Sequence, residues 1–535
     1  MTVSIEETRR PYKSWPNDAG FDASIEQRTP IPLKVTGTIP SFAAGTLYRT
    51  GPGHHKENTD RGEFRVSHWF DGFTHIHRFQ LISTPSGCTV LYNSRRQVDD
   101  LLEIVRKTGK LDGISFGQKR EPCTSFFAKL KSVFEPQRSG NPQLENVGVT
   151  IALNAPGLSS SSEKRHNVLT TFTDTSAVKH LDPTTLNPIG VASQTILHPA
   201  LKGQLSAAHA AQCPLTWDTY NYNLAFGVAV TYRIFHTSAS THETSILATI
   251  SGTDIKPAYV HSLFLTPSFV ILAIWPSHIA AGGVKILWER NLLDAIASFD
   301  PTNPIVWLVI DRHHGRGLVS KFTSPAAFAF HSINAFEEPS LDAATTEVFC
   351  DVVQYHNLDI LHKNYYDNLK STGPGVADFI ATHREGIKTH FARYRLSVPS
   401  TPSKKSRPTE IAKTYPLIGE LPTINPSFAT KRARFTYGVV DRGLSSFVDG
   451  IAKTDMETGE NWIWEKMGHT PGEPIFVAGV EDEGEDGGVV LSVVLDGVKG
   501  TSYLLCLSAR NMVELGRAEV LVAVGLGFHG RHIAA

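Results

Sequence analysis

The chain has no apolar run approaching the ~18–20 residues needed to span a bilayer as a helix. Its strongest run, Phe269–Trp275 (FVILAIW), is bracketed by Pro267 and Pro276 and reads as a buried strand. The opening segment, MTVSIEETRRPYKSWPND, lacks the apolar centre of a secretory signal, so a cytoplasmic protein is expected. Cysteine is scarce. Cys88, Cys123, Cys213, Cys350 and Cys506 are odd in number and form no CxxC pair, which argues against a disulfide framework or a zinc ribbon and fits a reducing compartment. Charge is sparse and balanced, with 51 Lys and Arg against 52 Asp and Glu, so nothing calls for nucleic acid as a partner. Missing too are a Ser-His-Asp grouping, a dinucleotide-binding glycine loop and a zinc-protease motif. Gly45–Gly53 (GTLYRTGPG) is glycine-rich, yet without the lysine and spacing of a phosphate loop it reads as a turn.

Short β-forming runs are abundant. Cys88–Tyr92, Asn223–Val230, Val306–Ile310, Val348–Val353, Val489–Leu495, Ser502–Leu507 and Glu519–Val524 are separated by turns drawn from 42 glycines and 31 prolines. That pattern predicts an all-β barrel, sandwich or propeller. No clean repeat of ~40–50 residues emerges, so periodicity cannot count blades. Two segments look inserted. The Pro-, Ser- and Lys-rich stretch 397–409 (SVPSTPSKKSRPT) is expected to be a mobile surface loop, and 482–488 (DEGEDGG) a solvated turn.

Of 23 histidines, four lie singly in distinctive contexts: His209 in LSAAHAAQCP, His261 in YVHSLFLT, His331 in AFHSINAFEE and His529 in GLGFHG. Neutral imidazole ligates iron, zinc, copper and nickel. Structural zinc sites usually draw ligands in closely spaced pairs, whereas four scattered ligands of an octahedron leave two positions open for dioxygen or substrate. Composition alone does not select these four. His54, His55, His75, His77, His313 and His314 are adjacent or two apart, and His75 and His77 would share one face of a strand.

The four contexts occur together with His68–Phe79 (HWFDGFTHIHRF), Leu181–Leu186 (LDPTTL), Gly472–Val477 (GEPIFV), Gly487–Asp496 (GGVVLSVVLD) and Gly527–Gly530 (GFHG). In this order, and with GTLYRTGPG, they resemble the carotenoid cleavage oxygenase family from about Gly45 to His529. The resemblance implies an N-terminal extension over 1–40 and, over 41–535, a seven-bladed β-propeller with axial iron, capped by loops and short helices. It implies Fe(2+) held by His209, His261, His331 and His529, with carboxylates behind three of the imidazoles. Two of these fall on Glu420 (GELPTIN) and Glu473 (GEPIFV). A carboxylate accepting the far ring N–H fixes the tautomer and aims the other nitrogen at the metal. The third falls on Asp174, where the family carries glutamate. One methylene shorter, it is expected to reach His261 only through a backbone shift or a bridging water.

The activity implied is oxidative cleavage of one double bond of a carotenoid or apocarotenoid by dioxygen, giving two carbonyl products. The chain looks most like the fungal torulene- and carotenoid-cleaving branch. A stilbene-cleaving branch grips its phenol with a tyrosine and a lysine; Gln118 and Thr173 stand at those positions here, which favours a polyene. A reading of another class is a propeller used only for binding, its metal site vestigial. Because polyenes partition into lipid, peripheral association with a membrane or lipid body is expected through Pro122–Phe134 (PCTSFFAKLKSVF). On a helix, Phe126, Phe127, Leu130, Val133 and Phe134 would make one apolar stripe, with Lys129 and Lys131 off it and Cys123 available to a lipid anchor. The ordinary alternative is a core-packed amphipathic helix.

Overall fold

A computed structural model describes residue 12 and residues 14–119, 140–158, 167–227, 229–252, 255–340, 344–479 and 484–535. The segment Pro122–Phe134 lies outside the described residues. Within them the fold is all-β and propeller-like. Five sheets of four or five strands follow one another, beginning at Thr150–Leu153, Leu205–Ser206, Phe264–Leu265, Ser332–Pro339 and Glu420–Thr423. Nearly all neighbouring strands are antiparallel hairpin partners, as short turn-bounded β runs dictate.

An eleven-stranded sheet joins the two ends of the chain. His529–Ala534 pairs with Gly45–Thr50, setting Thr50 opposite His529. Ile31–Gly37 lies between Gly87–Arg96 and Glu514–Val520. The stretch 1–40, expected to be an extension, therefore supplies an interior strand, and its Trp15 and Phe21 are buried. Exposed Lys34 and Thr36 concealed that strand, because its pairing partners lie far away in sequence.

The expected mobile loop over 397–409 is also corrected. Ser403–Pro408 is a strand running parallel to Leu318–Ser324 at the edge of its sheet. Lysine and proline blunt sheet edges against further pairing, so loop-like composition and an edge strand are compatible. Phe269–Ile274 is a wholly buried strand between Phe264–Leu265 and Ile305–Asp311, as its sequence predicts. Around it the largest apolar cluster gathers Trp307, Trp275, Phe328 and Tyr394.

Helices are few and short; Asp99–Thr108 is the longest described, closed by Gly109 in the left-handed conformation. No helix among the described residues is long and apolar enough to cross a membrane. The four described cysteines are free and buried. Of the acidic 482–488 turn, Glu485 accepts the Arg434 and Phe435 amides and Asp486 pairs with Lys453, so part of it is tied down.

Candidate metal centre

The candidate ligands lie in or beside the edge strands of separate sheets. His209 sits between Leu205–Ser206 and Ala211–Gln212, His261 precedes Phe264–Leu265, His331 precedes Ser332–Pro339, and His529 opens His529–Ala534. These edges converge, and the His209 amide donates to the His261 carbonyl at 3.2 Å. One candidate ring nitrogen from each of the four lies within 4.8 Å of the others. Among the described residues this is the one group of three or more His, Cys, Asp or Glu side chains so disposed. His75 and His77 do share a face, their rings stacked 4.3 Å apart, but no third ligand joins them among the described residues, and His77 Nδ1 meets the Tyr92 hydroxyl at 3.0 Å. His54 faces Glu57, His55 the Phe21 carbonyl and His313 the Pro267 carbonyl, so each of these rivals serves the local fold.

Each of the three carboxylates lies against one of the imidazoles, and Asp174 against the one expected for it, His261. Glu473 Oε1 lies 2.7 Å from His529 Nδ1, and Glu420 Oε2 lies 2.6 Å from His331 Nδ1. Asp174 Oδ1 lies 2.7 Å from His261 Nδ1, so no bridging water is needed. The shorter side chain suffices because the Asp174 carbonyl accepts the Ser206 amide at 3.0 Å, which draws this turn against the segment leading to His209.

A further tier was invisible to sequence reasoning. The Tyr259 hydroxyl donates to Asp174 Oδ2 at 2.9 Å, the Tyr355 hydroxyl to Glu420 Oε1 at 2.9 Å, and Arg49 Nη1 to Glu473 Oε2 at 2.7 Å. Tyr259 stands two residues before His261 and Arg49 lies inside GTLYRTGPG, so position in a motif is the one signal that could have flagged them.

This arrangement fits a cation. An Nδ1–H given to a carboxylate leaves Nε2 as a bare lone pair. His529 Nε2 nevertheless faces His331 Nε2 at 3.3 Å, while His209, whose tautomer no carboxylate fixes among the described residues, lies 2.9 Å away and can donate or accept there. Facing lone pairs repel, whereas two metal–imidazole bonds of about 2.1 Å at a right angle put their nitrogens about 3.0 Å apart. Burial, reinforced by the neighbouring imidazoles, holds His209 and His529 well below the ordinary histidine pKa, so they stay neutral ligands. Burial also opposes ionisation of Glu420, but His331, the Leu421 amide and Tyr355 outweigh it and hold its pKa below the usual value. Burial pushes Glu473 up to about 7 against the pull of Arg49. A cation on His529 would restore its charge.

A cavity of about 1450 Å³ reaches His261, His331 and His529 and is walled by Phe70, Phe116, Phe226, Phe330 and Phe528. Thr173 lines it beside Asp174. Gln118 does not; its amide is spent on the Ser67 amide and the Arg65 carbonyl.

Close approach at Gly51 allows His529 to reach this centre. Gly51 has φ of 141°, and a Cβ there would lie 2.4 Å from the Phe528 backbone nitrogen and 2.6 Å from Gly527 Cα. Gly51→Ala is therefore expected to displace the segment carrying His529 and to lower both melting temperature and the protein's capacity to bind a metal ion. Metal occupancy in that variant equal to wild type, read by elemental analysis, would contradict this account of the strand junction.

Comparison with known proteins agrees with the geometry. The family model described as retinal pigment epithelial membrane protein matches residues 20–534. The chain is 43% identical over 561 residues to a carotenoid dioxygenase of Neurospora crassa, covering 98% of this chain and 92% of that protein. It is 44% identical over 551 residues to a torulene dioxygenase of Gibberella fujikuroi, covering 98% and 94%. Among solved structures, a mutant of Synechocystis apocarotenoid oxygenase superposes with a TM-score of 0.71 at 19% identity, over 97% of this chain and 98% of that one. A cobalt-substituted form of the Synechocystis protein gives 0.70 at 19%, with the same coverage. At that identity the structures establish the fold, while the full-length relatives and the family match go further: this chain is an oxygenase belonging to the family of retinal pigment epithelial membrane proteins and carotenoid oxygenases.

Proposed function

We propose that the protein is a non-haem Fe(2+) dioxygenase that cleaves one conjugated double bond of a carotenoid or apocarotenoid. The balance is R–CH=CH–R′ + O2 → R–CHO + R′–CHO, so both oxygen atoms end in the two carbonyls. The observation that carries this reading is the convergence of His209, His261, His331 and His529 beside an aromatic-walled cavity. The names of the relatives, carotenoid dioxygenase and torulene dioxygenase, support the substrate class.

His209, His261, His331 and His529 would hold the iron, with Asp174, Glu420 and Glu473 fixing three of the rings. When bound, iron supplies the activation of dioxygen that no side chain can provide. The chain supplies the rest. Phe70, Phe330 and Phe528 pack edge to face, a rigid wall against which a flat polyene can lie. The same rings exclude water, which protects reactive oxygen species from side reactions. No ionisable group of the chain is needed to move a proton, because none is gained or lost in the overall balance. The stilbene alternative has less support, since Gln118 is engaged by backbone and Thr173 offers no ammonium for a phenolate.

Seven blades follow if the eleven-stranded sheet counts as two blades bridged by Ile31–Gly37 and added to the five separate sheets. Membrane contact is supported by the cavity rim, where Ile114, Val284 and Leu287 are exposed and Trp288 stands beside them. Val284→Asp combined with Leu287→Asp is expected to reduce sedimentation with lipid vesicles while iron content stays unchanged. Unaltered sedimentation would assign the rim no role in lipid contact.

The function itself is tested by product analysis. Iron-loaded protein incubated in air with a carotenoid panel and a stilbene is expected to yield aldehydes or ketones from a polyene and nothing from the stilbene. Cleavage of the stilbene alone would reverse the substrate assignment. Binding without cleavage of any polyene would favour a non-catalytic propeller.

A further inference from the structure

The cavity is not apolar throughout. Its charged lining includes Asp71, Glu145, Lys202 and Arg290 besides Asp174 and Glu420, and at another part of the wall Lys363 and Asp441, together with Asn364 and Thr389. Lys363 ends the short helix Asp359–Lys363 and Asp441 follows the strand Phe435–Val440. Lys363 is 3% exposed. Its ammonium donates to the Ser446 carbonyl at 2.7 Å and the Asn368 carbonyl at 3.0 Å, which leaves one N–H uncommitted among the described residues. Asp441 Oδ1 accepts the Gly443 amide at 2.9 Å, and Oδ2 has no hydrogen-bond partner among the described residues.

These two groups feel each other without touching. Burial lowers the Lys363 ammonium to about 8 against the attraction of Asp441. Burial raises the Asp441 carboxyl to about 6, opposed by Lys363 and reinforced by Asp449. Yet no direct ion pair joins them, although both border the same cavity. A buried charge with spare hydrogen-bonding capacity is costly unless something completes it. A hydrocarbon end group cannot. A carboxylate would meet Asp441 as a like charge. A carbonyl can accept from Lys363, and a hydroxyl can accept from Lys363 and donate to Asp441.

Resting on the dioxygenase reading above, we propose that Lys363 and Asp441 form a polar subsite that binds a neutral oxygen function, an alcohol or aldehyde, at one end of the polyene. They thereby set which substrate enters and how far it slides past the metal centre. These are specificity residues that bind the end group and take no part in cutting the bond.

The test uses iron-loaded enzyme and four polyenes of equal length ending in hydrocarbon, alcohol, aldehyde or carboxylate. Both kcat/KM and anaerobic binding, followed by tryptophan quenching, are measured for wild type, Lys363→Met and Asp441→Asn. Wild type is expected to favour alcohol and aldehyde over hydrocarbon by roughly 10–100-fold, the range a hydrogen bond to a charged group supports. Lys363→Met should collapse that ratio for both oxygenated ends, and Asp441→Asn for the alcohol more than the aldehyde, with iron content retained. Equal treatment of hydrocarbon and oxygenated ends by wild type would overturn the proposal. So would variants that lower all four activities in parallel, which would make Lys363 a loop tether only. If Lys363→Met is insoluble, Asp441→Asn decides. Absence of cleavage for every polyene would sink the dioxygenase reading instead, while the binding series would still score the subsite.

Discussion

His529→Ala is expected to emerge from purification essentially free of iron and without measurable turnover. The loss should exceed the ~10–100-fold typical of changes behind a metal ligand, because one of four donors is gone. His529 Nε2 is central to the cluster, 2.9 Å from His209 Nε2 and 3.3 Å from His331 Nε2. Removing it also leaves Glu473 and Arg49 buried without the imidazole between them and the centre. His209→Ala, His261→Ala and His331→Ala should behave alike. His77→Ala is the control: equally buried and hydrogen-bonded to Tyr92, it should lose stability but keep iron per folded molecule. Elemental analysis of the soluble fraction separates the two behaviours, and iron loss in His77→Ala matching that of His529→Ala would undo the assignment.

Asp174→Ala is expected to weaken iron binding or turnover by roughly 10–100-fold. Its Oδ1 holds the His261 ring and accepts the Ala208 amide, and its Oδ2 takes the Tyr259 hydroxyl, so truncation frees three buried groups at once. Glu420→Gln and Glu473→Gln should cost less than loss of a ligand, since an amide oxygen still accepts the imidazole N–H but raises its basicity less. Asp174→Glu keeps the acceptor and should keep most of the iron. Tyr259→Phe offers a finer reading: with Asp174 intact, a milder loss of iron affinity is expected. Chelator competition measures all of these on one scale. Unchanged affinity in Asp174→Ala would make that carboxylate a bystander.

The four converging histidines were legible because each lies in a local context that resembles a known motif, and because single, scattered histidines suit an open site. The carboxylates at 420 and 473 were legible for the same reason. The reach of Asp174 was not, since it depends on the Ser206 amide drawing one turn toward another sheet. Tyr259, Tyr355 and Arg49 escaped notice because a hydroxyl or guanidinium becomes significant only once its carboxylate partner is placed. The strand Ser403–Pro408 was misread from composition, and Ile31–Gly37 lay in a stretch that the resemblance left as an extension. Both depend on partners distant in sequence, and edge strands in particular carry the polar residues expected of loops. The polar pair at Lys363 and Asp441 is likewise a product of tertiary structure, two isolated charges that only the fold brings to one cavity.

The most direct test of the central claim is X-ray absorption at the iron edge of the purified protein, combined with metal stoichiometry. The account predicts one iron per chain and a first coordination sphere fitted by four imidazole nitrogens, with the multiple-scattering signature of four rings. Substoichiometric iron that cannot be restored by reconstitution, or a sphere with fewer than four imidazoles, would contradict it.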